Sequence, residues 1–419
     1  MKQRINSLIK NPVITGSGII FLGTFFANIF NFLFNLYMSR TLSVADYGIL
    51  ASLISVILLF ALAADSFVPI VVSFAGAYLA KGEENKVAEL FIKVKKIAFF
   101  IGGSILLIFI VLENPIGNFL RIHDPFLLFL VGITVFFGFL GSINRAILQA
   151  RLTFGYYTFV NTFSSFLKLV FGVLLVYLGY NVKGAMWGFS LSFFIMYALS
   201  LIPLFPLFTH KNKETHVTVT KLFQYGLPSV VALISMTFFI TTDILLVKHF
   251  YKPTEAGLYA GLSLLGKVIY FFSSPIGIVM FPLIVQRYTR GENFTNIFKS
   301  SLFLVASASL GITFLYSIFP DFFIRLFLKK EEYLALRPFI GLYGIIFTLY
   351  TCMSIIVNFY LSIKKTNVFI PILLSAVLQA VLLFIYHQNF YQVIFISIFS
   401  LVLPMSILLW YYWATYERK

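Results

Sequence analysis

Two lysines stand deep inside apolar stretches of this sequence. Lys168 falls about midway along the run 157–179, and Lys267 about 15 Å into the run 256–286 at the helical rise of roughly 1.5 Å per residue. A charged group near the centre of a bilayer costs about 2.5–3.5 kcal/mol on insertion scales, so such a residue faces a wet cavity or a partner. From these depths neither ammonium reaches the interface easily by snorkelling. One cation in each half of the chain suits a positively charged chamber, at mid-membrane depth, that holds an anionic head group.

Amides and carboxylates extend the set. Asn28, Asn31 and Asn35 are spaced three and four apart, which stacks them along one helix face, and Asn161, Ser164, Ser165 and Lys168 repeat that geometry. A polar stripe of this kind either lines a wet cavity or hydrogen-bonds a neighbouring helix. Asp65 and Asp243 are the carboxylates expected within spans; each is a candidate carrier of a coupling H⁺ or Na⁺ and equally a candidate partner for a lysine. Arg145, Gln149 and Arg151 close the fourth run, where topology explains them and phosphate recognition is the second reading.

The elements that must position these residues are membrane spans. Hydrophobic residues make up 60% of the chain and charged ones 11%, and the mean hydropathy is +0.95, far from the balance of a soluble domain. Apolar runs long enough to cross a bilayer as helix cover 13–38, 47–79, 95–113, 125–148, 157–179, 184–208, 222–247, 256–286, 299–320, 337–362, 368–386 and 391–414. The first is longer than the core of a cleavable signal and reads as a retained span. Pro69, Pro275 and Pro282 are expected to kink the second and eighth.

Placing the N-terminus inside assigns twenty Lys and Arg to that side and nine to the other: Arg40, Arg121, Lys183, Lys248, Lys252, Arg325, Lys329, Lys330 and Arg337. Both termini are therefore expected to be cytoplasmic. The net charge of +16 is largely this excess and needs no nucleic acid to explain it.

The chain is also doubled. Asp46, Gly48, Ala51 and Leu53 are answered by Glu255, Gly257, Ala260 and Leu262, and Lys81-Gly82-Glu83 by Arg290-Gly291-Glu292, all at an offset of 209. Two halves follow, 1–210 and 211–419, each expected to be a six-helix bundle. The fold class is thus all-α and polytopic, with about twelve transmembrane helices.

Several chemistries find no support. The loops read as short charged connectors, the longest being 81–94 and 320–336, and none is long enough to fold as a domain. No phosphate-cradling glycine loop, metal-spaced His or Cys cluster, or nucleophile beside a base is evident. Neither a cofactor nor a metal is implied, and the chain reads as a non-enzyme. His123, His210, His216, His249 and His387 are scattered at loops and span ends, and Cys352 is the lone cysteine.

Ser39-Arg40-Thr41-Leu42-Ser43-Val44-Ala45-Asp46-Tyr47-Gly48 resembles the first external turn of the polysaccharide biosynthesis, or Wzx-type oligosaccharide-lipid flippase, family. Tyr225-Gly226-Leu227-Pro228, Asp243, and Gly257-Leu258-Tyr259-Ala260 before Pro282 resemble its second half. Ile244 departs from the basic residue often found after that aspartate.

The resemblance implies a member of the multidrug/oligosaccharidyl-lipid/polysaccharide exporter superfamily, with two six-helix bundles in a V around a central cavity. It implies a cargo of undecaprenyl-diphosphate-linked oligosaccharide for O-antigen, capsule or a related polymer, moved by alternating access across the bacterial inner membrane. Partners beyond that carrier and membrane lipid would be a counter-ion and polysaccharide assembly proteins, with the transporter itself a monomer. Lys168 and Lys267 would then attract the diphosphate and the face of Asn28, Asn31 and Asn35 would wet the glycan, with Asn161 and Arg145 as further cavity candidates. A drug or metabolite antiporter of the same superfamily is the first rival. A polytopic polymerase or ligase is the second; such enzymes need a sizeable external loop carrying catalytic Arg or His, and none is evident in this sequence.

Overall fold

The computed structural model describes residues 12–65, 67–209 and 220–417; both chain termini, His210 and His216 lie outside them. The chain is an all-α polytopic membrane protein. In a hydrocarbon medium every backbone N–H and C=O must find its partner within the segment, and the apolar runs answer that demand by forming helices.

In order these are α1 Pro12–Thr41, α2 Val44–Asp65, α3 Val68–Ala80, α4 Glu84–Val111, α5 Glu113–Leu120, α6 Pro125–Ala150, α7 Phe154–Leu175, α8 Asn181–Leu201 and α9 Pro206–Thr209. Then follow α10 Thr220–Phe250, α11 Pro253–Thr289, α12 Thr295–Ile318, α13 Pro320–Phe327, α14 Arg337–Ser362, α15 Phe369–Ile385 and α16 Phe390–Tyr412. Eleven segments of the described residues are long and apolar enough to cross a membrane. One of them, Phe154–Leu204, is broken at Gly179 (φ 92°) into α7 and α8, which makes twelve passes among the described residues.

Local chemistry sets the helix starts. Asp124 accepts from the Phe126 N–H at 3.2 Å ahead of Pro125, and Asn389 accepts from the Gln392 N–H at 3.0 Å ahead of α16. Glu255 reaches back to the Lys252 N–H at 3.0 Å at the head of α11.

Two sequence expectations are corrected. The stretch 84–94 is the start of α4 rather than a loop, so Lys86 and Lys93 stand on a helix that continues into the third span. The stretch 320–336 is helix α13 followed by a 3₁₀ turn Glu331–Leu336, because Ile324, Leu328, Tyr333 and Leu336 bury their side chains completely.

The doubling is written in the backbone. Gly82 and Gly291 both turn the chain at positive φ (70° and 69°), where a side chain would be strained. Glu83 N–H donates to the Tyr78 carbonyl and Glu292 N–H to the Arg287 carbonyl, each at 3.0 Å. Further on the offset becomes 212. Leu152 (φ 58°) and Lys364 (φ 60°) then occupy matching turns, in which Thr153 N–H donates to Leu148 O and Lys365 N–H to Tyr360 O.

The chain divides into two compact units, Met1–Phe34 with Phe60–Leu227, and Asn35–Leu59 with Pro228–Lys419. In the first, α6 is the buried centre and packs against α4, α8 and α3, while α7 packs against α8. In the second, α14 is the buried centre, against α11, α12 and α16. The first division falls within α1 and α2, so the hairpin that joins them belongs with the second unit.

Candidate functional site

In the first unit, small residues bring three helices close. A β-carbon on Gly23 of α1 would overlap Thr158 of α7, and Thr162 donates to the Gly23 carbonyl at 3.0 Å. A β-carbon on Gly188 of α8 would lie 2.7 Å from Gly172 of α7, an approach that only glycine permits. Lys168 is placed by these contacts. Its ammonium donates to the Asn31 amide oxygen and lies 4.4 Å from the Phe189 ring centroid and 5.4 Å from that of Phe34. Aromatic faces and an amide oxygen thus hold a half-buried cation in place of bulk water.

Arg145 of α6 forms a second cationic centre in the same unit. Its Nη2 donates to Asp65 Oδ1 at 2.5 Å and its Nη1 to Asn161 Oδ1 at 3.3 Å. Asp65 is the last residue of α2, and the next helix begins at Val68 with Pro69 in its first turn and no side-chain cap. The pair therefore ties the second span to α6. Asn31 and Asn161 each join a cation, whereas Asn28 and Asn35 stand half-buried about a turn to either side of Asn31.

The second unit holds a separate polar cluster. Asp243 of α10 is 1% exposed and accepts from the Tyr259 hydroxyl at 2.8 Å, the Tyr343 hydroxyl at 3.1 Å and the Ile244 N–H at 2.8 Å. The two tyrosine rings meet edge to face with centroids 5.5 Å apart. Lys267 is half-buried on α11 of the same unit. Asp243, a residue whose position near the end of its span suggests interfacial water, is instead enclosed. Lys248, counted among the loop cations, is also buried.

Sequence reasoning missed three features. Lys95 of α4 donates to Asn144 at 3.3 Å and lies 4.9–5.1 Å from the rings of Phe91, Tyr197 and Phe208. Asn144 in turn donates to Ser200 at 2.9 Å. In the second unit, Arg40 donates to the carbonyls of Phe327 and Leu326, and Lys330 donates to the carbonyl of Leu42. Each cation thus satisfies carbonyls left over where a helix ends. Repeat-related glycines also meet there, since a β-carbon on Gly48 would lie 2.8 Å from the Gly257 nitrogen.

A many-span helical protein with internal cations, a doubled chain and no soluble domain of its own among the described residues has the build of a membrane transporter. The model of the family described as "Polysaccharide biosynthesis protein" matches residues 13–288, and the chain belongs to that family. It is similar to the lipid II flippase MurJ in an inward closed conformation, with a TM-score of 0.71 and 16% identity over 93% of this chain and 86% of that one. It is likewise similar to an inward-facing multidrug resistance MATE family transporter of the MOP superfamily, with a TM-score of 0.70 and 13% identity over 92% and 93%. An outward-facing member of that kind gives 0.63 and 14% over 96% and 94%. At these identities the likeness defines the fold, that of the superfamily's exporters. Comparison with the curated proteins gives no match.

Proposed function

We propose that this protein is a flippase for undecaprenyl-diphosphate-linked oligosaccharide repeat units of O-antigen, capsule or a related polysaccharide. It works by alternating access in the bacterial cytoplasmic membrane, as a monomer with both termini cytoplasmic. The reading rests on family membership together with one observation, that two half-buried or buried cations, Lys168 and Arg145, sit beside asparagines in one helical unit. A diphosphate is the part of this cargo that an apolar wall cannot accept, and fixed cations with amide neighbours suit it and the sugar hydroxyls beyond it.

Asn28 and Asn35 extend the same helix face toward the glycan. The lipid tail needs no site, since it stays in the hydrocarbon. Lys267, in the second unit, is read as a further substrate-binding residue. Asp243, with its two tyrosine donors, is the candidate carrier of a coupling H⁺ or Na⁺. The halves 1–210 and 211–419 are read as the two repeats of the transport cycle, and polysaccharide assembly proteins as its neighbours.

A second reading has support in the same enclosed carboxylate. Asp243 would serve a drug or metabolite antiporter equally well, and the MATE likeness is as strong as that to the flippase. The test is Lys168→Ala in cells that depend on this gene. Loss of polymer at normal membrane abundance, with lipid-linked repeat units accumulating inside, is expected; undiminished polymer would overturn the assignment.

A further inference from the structure

The Arg145–Asp65 pair is unequal in a way that suggests a purpose. The arginine side chain is 15% exposed and the aspartate 41%. The guanidinium offers Nη2 to the carboxylate and Nη1 to Asn161, while Nε is buried and without a partner among the described residues. Nε and Nη2 together form the fork that grips two oxygens of one oxyanion, and Asp65 is bonded to one arm of it. An arginine keeps its charge in every state, and a buried guanidinium stripped of its anion is strongly destabilised. Asp65 can therefore leave only if another anion replaces it.

We propose that Asp65 is a resident counter-ion for which a phosphate-bearing cargo exchanges, Arg145 passing from carboxylate to phosphate. The inference deepens the flippase reading and rests on it. It makes Arg145 a direct ligand of phosphate oxygens and Asp65 a positioning residue that sets affinity. Occupancy of the site by cargo and by Asp65 are then mutually exclusive, so removal of the carboxylate strengthens binding.

The test uses full-length protein in phosphatidylcholine nanodiscs, with inorganic pyrophosphate and farnesyl diphosphate as probes. Asp65→Asn is expected to bind one or both about tenfold or more tightly than wild type, within the usual range of coupling between sites. Arg145→Gln and the double variant should both bind weakly and alike. Tightening of both probes identifies free diphosphate chemistry as sufficient; tightening of farnesyl diphosphate alone identifies a lipid head group, and either supports the exchange. Asp65→Ser provides the same comparison if Asp65→Asn does not fold, and diphosphate should raise the melting temperature of either more than that of wild type. Unchanged or weaker binding in both variants, or tightening that persists without Arg145, would overturn the proposal. A wild type that flips diphosphate-linked glycan while Asp65→Asn binds no tighter refutes the exchange alone. A wild type that binds tetraphenylphosphonium and no diphosphate refutes the flippase reading with it.

Discussion

Gly257 offers a test of whether the repeat-related helix starts are truly in contact. A β-carbon there would lie 1.8 Å from the Val44 carbonyl oxygen, 2.5 Å from its carbon and 2.8 Å from its Cγ1. Two of these atoms are backbone, so no rotamer change relieves the overlap, and the segment carrying Val44 must retreat by well over an ångström. Overpacking of this kind costs about 1–3 kcal/mol. Gly311, on α12, is the control because nothing lies within 4 Å of the place a β-carbon would take, and alanine in a helix interior is worth roughly 0.5–1 kcal/mol over glycine. The two substitutions should therefore move stability in opposite directions. The assay is the apparent melting temperature in detergent at one fixed scan rate, since unfolding of such proteins is commonly irreversible. Gly257→Ala should melt lower than wild type and Gly311→Ala at or above it. Equal shifts for the two would refute the close approach of Val44 and Gly257.

Further outcomes follow from the polar contacts. Tyr259→Phe and Tyr343→Phe each remove one donor to a buried carboxylate, and each should cost about 1–3 kcal/mol in denaturant unfolding; an effect below a few tenths would deny that the hydroxyls serve Asp243. Cysteines replacing Leu42 and Lys330 in a Cys352→Ser background should be joined by a short thiol crosslinker, as the Lys330 contact with the Leu42 carbonyl requires. Failure to crosslink in any condition would contradict that contact. Asn144→Leu should destabilise more than Lys95→Met, because the first takes the amide acceptor from a cation held among rings while the second replaces that cation by an apolar chain. The reverse order, read by thermal melting, would mean that the Lys95 ammonium rather than the Asn144 amide holds this cluster together.

Much of the fold was legible because span length and the polar breaks between spans are properties of sequence alone. The turn at Gly82 and its mate at Gly291 were visible as matching tripeptides, and their positive φ is the physical reason for the glycine in each. Helix α13 escaped notice because its short apolar run is interrupted in sequence by Asp321 and Arg325, which together read as a charged connector although they share one polar face of the helix. At the candidate site, residue type marked Lys168, Asn31, Asn161, Arg145, Asp65 and Asp243 as unusual. Their pairing was beyond reach: Arg145 meets a carboxylate 80 residues away and Asp243 a tyrosine 100 residues away, distances over which no periodicity carries information. Arg40 and Lys330 were hidden for another reason, since their acceptors are backbone carbonyls that any residue supplies.

The central claim is that internal cations receive an anionic, lipid-linked head group. It is tested most directly in sealed proteoliposomes holding a fluorescent prenyl-diphosphate oligosaccharide, with leaflet exchange followed by a membrane-impermeant quencher. Wild-type protein should bring the inner-leaflet glycan within reach of the quencher, and Lys168→Ala should not. Exchange no faster than in empty liposomes, alongside ion-driven uptake of a cationic dye by the same vesicles, would contradict the account.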